Sequence, residues 1–250
     1  MEHLKLILTQ AQQNLFFLLM VAGISLVIYC VSYGAQVLID HQSHMIKCNT
    51  FGTTTSTRRI AAIGMFSAIS VILMYFEFPL PFLAPGFYKL DFSEIPVLIC
   101  GFAFGPAAGV IVELLKVILH ILLKGTSTAF VGDFANFAVG CSFIVPATIV
   151  YYWKKTKKHA ILGCILGTLT ITIFGTIFNA LYLLPQFSKL FGLPLDQIIA
   201  QGSAIFHGVT NLTTFVIFCV APLNLLKGLL VSIAVMIIYK PISRILHQKM

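Results

Sequence analysis

The stretch Ala221-Pro222-Leu223-Asn224-Leu225-Leu226-Lys227-Gly228-Leu229 opens an apolar run that continues to Tyr239. An amide and an ammonium inside hydrocarbon are costly and are usually kept for function. Asn224 and Lys227 stand three residues apart, so on a helix they share a face. Pro222 fits the first turn of such a helix, where its missing N–H is not needed. The run reads as a membrane helix beginning near Ala221 whose first turns offer an amide and a cation to something polar. A plainer reading is also open. In it Lys227 snorkels to the interface and Asn224 bonds a neighbouring helix.

Composition places the whole chain in the same setting. It is 58% hydrophobic and 10% charged, with a mean hydropathy of +0.97. That is an integral membrane protein. Long apolar runs broken by Gly and Pro predict an all-α polytopic bundle; the short alternating segments of a β-barrel are not seen. The net charge of +8 does not indicate nucleic acid, because the basic residues sit in short clusters between spans. The six cysteines are scattered without metal-ligand spacing and read as small hydrophobes, so no metal site is expected.

Outward from the opening stretch, the spans follow in order. Leu15–Ile39 is a first apolar span, and 40–57 a polar linker with a Thr/Ser run. Ile60–Phe78 follows Arg58-Arg59 and carries Gly64 and Ala68, a small-residue stripe that admits close helix contact. Glu77–Leu90 is a loop rich in Pro, Gly and aromatics, too apolar for an ordinary solvated loop. Asp91-Phe92-Ser93-Glu94 reads as a capped helix start for a short span to Phe104. A tight turn over 105–109 leads to Val110–Leu123. Then come Phe134–Tyr152, the Lys154–Lys158 cluster, and Ile161–Leu184, stopped by Pro185. Residues 186–206 are amphipathic, and Asn211–Val220 is apolar but too short to span. If Arg58-Arg59, the Lys154–Lys158 cluster and the C-terminus are cytoplasmic, ten Lys/Arg lie inside and four outside. That arrangement predicts six core spans plus one extra N-terminal span, with the N-terminus outside. The expected domains are 1–57, the extra helix and linker, and 58–250, the six-helix membrane domain.

Several polar residues lie inside spans. Glu113, Lys116 and His120 recur at i, i+3, i+7 and share a face, and most simply Glu113 and Lys116 form an internal ion pair. Asn136 lies between Gly132 and Gly140 on one face. With the topology above, Asn136, Asn179, Asn224 and Lys227 all fall in the outer halves of their spans. That agreement points to a binding pocket open to the outside, with the 77–90 loop as its cover. There is no paired-carboxylate motif, no activated nucleophile and no phosphate-binding G-x-x-x-x-G-K-[ST]. A membrane enzyme using Glu113, Lys116 and His120 as acid/base groups lacks a positioned constellation. ATP-driven transport would need other subunits.

Five segments taken together carry a family resemblance. They are Lys89-Leu90-Asp91-Phe92-Ser93-Glu94-Ile95-Pro96, Phe104–Gly109, Ala135-Asn136-Phe137, Asn179 with Leu183-Leu184-Pro185, and Pro222–Gly228. The set resembles the riboflavin S component of energy-coupling factor (ECF) transporters, from Arg58 to the C-terminus. The resemblance implies a six-helix membrane fold in the cell membrane that binds riboflavin from outside and needs no cofactor. It implies a transmembrane scaffold subunit and two ABC-type ATPases as partners. It implies ribityl contacts from Asn179, Asn224 and Lys227, with Asn136, Tyr88, Lys89, Leu90 and Asp91 as further ligand contacts. Phe78, Phe82 and Phe87 would belong to the gating loop, and Gly64 and Ala68 would dock on the scaffold. S components for pantothenate, folate, thiamine or pyrimidine precursors share the fold, so the fold alone leaves them open as alternatives. The span Leu15–Ile39 and the long segment Gly192–Val220 depart from the pattern.

Overall fold

A computed structural model of the chain describes residues 12, 14–44, 57–126 and 128–247. Most of the linker expected over 40–57 lies outside the described residues, as do Lys5, Lys47 and Lys249. The order is α1 (Leu15–His44), α2 (Thr57–Tyr75), β1 (Phe78–Pro79), β2 (Lys89–Leu90), α3 (Glu94–Phe104), α4 (Pro106–Lys124), α5 (Val131–Trp153) and α6 (Lys157–Phe178). A π-helical turn at Asn179–Leu183 leads into α7 (Leu184–Phe191), then α8 (Leu195–Ser203) and α9 (Leu212–Phe215). A second π-helical turn, Val216–Val220, joins α9 to α10 (Ala221–His247). Five stretches are long and apolar enough to cross a membrane, and α2 and α3 are shorter apolar helices. The protein is an all-α integral membrane protein.

Helices α3, α4, α5, α6 and α10 meet around Val97, Leu98, Val112, Phe143, Ile144, Ala147, Tyr151 and Val231, all buried. In lipid such contacts are held by close packing and hydrogen bonds, since leaving lipid for a neighbouring helix frees no water. α1 follows the same rule from the outside. Its face toward α4 and α5 carries Ser25, Ser32 and Gln36, all buried, while Leu19, Leu26, Val27, Val31 and Leu38 are exposed. Gln36 packs against Gly105, whose φ of 95° and lack of a Cβ permit both the turn and the contact. The extra N-terminal span is thus a fixed rib of the bundle, with Phe17 edge-on to Phe134 at 6.0 Å.

Four expectations need correction. The turn at 105–109 shrinks to Gly105, because Pro106 occupies the first helical position, where it needs no N–H. Ser93 does not cap α3 with its side chain; instead the Asp91 carboxylate accepts from the Ser93 N–H at 2.8 Å, an Asx-type turn. Pro185 does not stop the chain. It sits in the first turn of α7, just past the π-helical turn, so its missing N–H breaks no regular ladder. The last span does not begin near Ala221 but at Leu212, and it passes through the second π-helical turn to include Asn211–Val220. Pro222 lies inside that continuous span.

The 77–90 loop is closed at its base by a two-stranded ribbon pairing Phe78 with Leu90 and Pro79 with Lys89. Its tip does not float. Ala84 is buried, and Leu80, Leu83 and Tyr88 pack on a cluster of Leu184, Ile198, Val209 and Phe215. The long segment after α6 therefore folds as a platform under the loop. α9 is started by a capping box in which Asn211 and Thr214 satisfy each other's backbone N–H groups.

Candidate functional site

Between the loop, α4, α5, the first π-helical turn with α7, and α10 lies a cavity of about 490 Å³. Its walls include Tyr88, Lys89, Leu90, Asp91, Asn136, Asn179, Asn224 and Lys227. All eight expected ligand contacts are thus brought to one space, from four separate regions of the chain. Of the three loop aromatics, Phe87 lines the cavity, whereas Phe82 is 69% exposed and Phe78 packs on Phe92 at 6.0 Å. Gly64 and Ala68 stand on an exposed face of α2, and a side chain added at Gly64 would meet nothing within 4 Å.

Asn179 starts the first π-helical turn, where the wider spiral turns the amide inward. Its Nδ2 donates to the Gly175 carbonyl at 2.7 Å, and its Oδ1 accepts from the Tyr88 hydroxyl at 2.7 Å. The second bond ties the loop to the wall, and burial raises the Tyr88 phenol above its ordinary value. Asn224 lies across from Gly175, whose missing Cβ makes room for it. The Nδ2 of Asn224 and the Oδ1 of Asn136 are buried without a partner among the described residues.

Lys227 is not a free cation. Its ammonium lies 3.1 Å from Asp91 and 2.9 Å from Glu94. Lys116 lies 3.4 Å from Glu94 and 2.7 Å from Glu113, and donates to the Ser93 hydroxyl at 3.1 Å. Glu94, missed in the sequence as a site residue, is therefore the bridge between two lysines from different helices. Burial works against the Asp91 carboxylate, but Lys227 and Lys116 outweigh it and hold its carboxyl at about 2. Of this network Asp91 and Lys227 line the cavity, while Glu94, Lys116 and Glu113 are fully buried. The internal ion pair expected of Glu113 and Lys116 is present, and His120, on the same helix face by spacing, is not part of it.

His120 faces Asp133 instead, with Nδ1 3.8 Å from Oδ1. Both line the cavity. Asp133 was also missed, because nothing in the α5 sequence says which helix its first turn will face. The turn before it holds Ala129 and Phe130 at φ of 45° and 71°, conformations that cost about 1–3 kcal/mol each for residues with a Cβ. Thr126 accepts from the Phe130 N–H at 3.0 Å, and Thr128 from the Gly132 N–H at 2.9 Å, which hold the turn in shape. At the cavity mouth Glu77 pairs with Lys89 at 2.6 Å and with Lys124. Burial raises its carboxyl, and the two lysines more than reverse that, leaving it below its ordinary value.

The arrangement offers both donors and acceptors to a molecule that fits the cavity. Comparison with known proteins adds the following. Residues 58–239 match the family described as ECF transporter, substrate-specific component. The riboflavin transporter RibU of Staphylococcus aureus is 35% identical over 191 residues, covering 76% of this chain and 93% of that protein. RibU of Streptococcus thermophilus is 36% identical over 195 residues, covering 77% and 86%. The riboflavin transporter FmnP of Bacillus subtilis is 29% identical over 183 residues, covering 73% and 90%. Among solved structures, the S component of a bacterial ECF transporter superposes with a TM-score of 0.61 at 34% identity, covering 78% of this chain and all of that one.

Proposed function

This chain belongs to the ECF transporter substrate-specific components, and from that premise we propose that it is the riboflavin-binding membrane subunit of such a transporter. The observation that carries the proposal is the 490 Å³ cavity whose wall holds unpartnered amide atoms of Asn136 and Asn224 beside the aromatic cover of Tyr88 and Phe87. Riboflavin has a flat ring and a neutral polyol tail. A flat ring suits aromatic walls, and hydroxyls suit amides, which both donate and accept. In this reading Asn179, Asn224 and Lys227 hold the tail, and the 77–90 loop covers the ring.

The cavity mouth then faces the cell exterior, as does the N-terminus, and the C-terminus is cytoplasmic. Uptake draws on ATP hydrolysis by two ABC-type ATPases, reached through a transmembrane scaffold subunit that docks on Gly64 and Ala68. Protein purified in detergent should carry flavin absorbance or bind added riboflavin with saturable fluorescence quenching. A colourless preparation that gains no affinity for added riboflavin rejects the proposal.

A further inference from the structure

We infer that His120 and Asp133 read the imide edge of a bound flavin, the face where a ring N–H lies between two carbonyls. This inference rests on the riboflavin reading and adds to it the residues that select the heterocycle. His120 is 7% exposed and Asp133 9%, and both line the cavity. Their separation of 3.8 Å is too long for a hydrogen bond. Both ring nitrogens of His120 and the Oδ2 of Asp133 have no partner among the described residues. Buried polar atoms are normally paired, so these open valences between α4 and α5 call for a partner. The strained turn at Ala129 and Phe130 fixes Asp133 there.

The chemistry of the pair selects the ligand group. A carboxylate only accepts, and a neutral imidazole donates from one nitrogen. An imide presents one donor with an acceptor at its side. Asp133 accepts from the imide N–H while His120 donates to the adjacent carbonyl. An anionic group is disfavoured here by the like charge of Asp133. A hydroxyl of the tail also donates and accepts, so it could meet either group; only the imide is altered by methylation of its nitrogen, which separates the two.

The test compares riboflavin with 3-methylriboflavin, whose imide N–H is replaced by N–CH3. Each is titrated by fluorescence against the unsubstituted protein and against Asp133→Ala, His120→Leu and Asn224→Ala. For the unsubstituted protein the methyl group should weaken binding by roughly 5- to 150-fold. In Asp133→Ala that ratio should collapse to near one, and in His120→Leu it should shrink, whereas Asn224→Ala should keep it. Should Asp133→Ala fail to fold, His120→Leu carries the same comparison. Equal binding of both flavins by the unsubstituted protein overturns the inference. So does an undiminished ratio in the folded Asp133 or His120 variant, or a collapse of the ratio in Asn224→Ala as well. Binding of neither flavin to the unsubstituted protein overturns the riboflavin reading and this inference with it.

Discussion

Asn224 and Lys227 stand out in the sequence for one reason: they are polar in a run of aliphatics. The structure places them in different surroundings. Asn224 keeps an unpartnered Nδ2 beside the cavity, so Asn224→Ala should weaken riboflavin by roughly 5- to 150-fold while weakening lumichrome, which lacks the tail, far less. Parallel isothermal titrations decide, and equal losses would mean that Asn224 does not hold the tail. Lys227 is bound to two carboxylates, so Lys227→Met leaves buried Asp91 without its ion-pair partner and Glu94 with Lys116 alone. Breaking one partner out of a buried ion network costs about 3–5 kcal/mol. The variant should therefore lose thermal stability in detergent even without ligand, and an unchanged melting temperature would contradict the network. Glu77 gives a pH test. Its carboxyl is lower in the folded loop than its ordinary value of 4.5, so the contribution of its lysine pairs is complete above that value and fades as pH falls below it. Limited proteolysis of the loop should be flat from pH 8 to 5 and rise as pH falls below the ordinary value; Glu77→Gln should show the faster cleavage at every pH. What the sequence withheld at this scale was direction. Glu113, Lys116 and His120 share a face by spacing, but which helix faces that stripe is a tertiary fact. The answer, Glu94 for one and Asp133 for another, could not be read from α4 alone.

Among the elements, most spans were legible from apolar length, and their ends were not. The π-helical turns were invisible because every residue in Val216–Val220 is apolar and no stripe shifts phase to betray the extra residue. Pro185 and Pro222 read as boundaries in the sequence, yet each follows a turn already wide enough to spare its N–H. The loop was legible as a cover from its composition, but its anchorage was not, because Ala84, Leu80 and Leu83 rest on residues a hundred or more positions away. Deleting Leu80–Ala84 should weaken riboflavin binding, chiefly through faster dissociation, measurable by stopped-flow fluorescence. Unchanged rates would remove the loop from the binding cycle. On α6, Gly175→Ala places a methyl carbon about 2.5 Å from the Asn224 amide. It should mimic Asn224→Ala in its discrimination between riboflavin and lumichrome.

At the scale of the whole molecule, the boundary proposed at residue 57 can be tested by removal. A chain begun at Thr57 keeps the region matched by the family, 58–239, and loses the packing of Phe17 and Gln36. It should bind riboflavin within a few-fold of the full chain but melt at a lower temperature, as measured by a thermal shift assay. A loss of binding would make α1 part of the site. Gly64→Leu with Ala68→Leu should leave affinity intact and abolish uptake in whole cells, since both lie on an open face of α2. Coupled loss of both activities would place the stripe inside the subunit. The charge network also bears on how the protein is made. Glu113 and Lys116 enter the membrane on one helix, as a pair that neutralises itself during insertion. Asp91 does not have that help, and Glu94 shares Lys116 with Glu113: the lysine that answers them both, Lys227, is 136 residues beyond Asp91 and is made long after them. Until that helix arrives, the nascent bundle holds a carboxylate surplus in its interior. Synthesis itself is thus divided into a long incomplete phase and a short closing one. A chain that stalls before residue 212 should be recognised by membrane proteases as unfinished, however many of its spans are already in place.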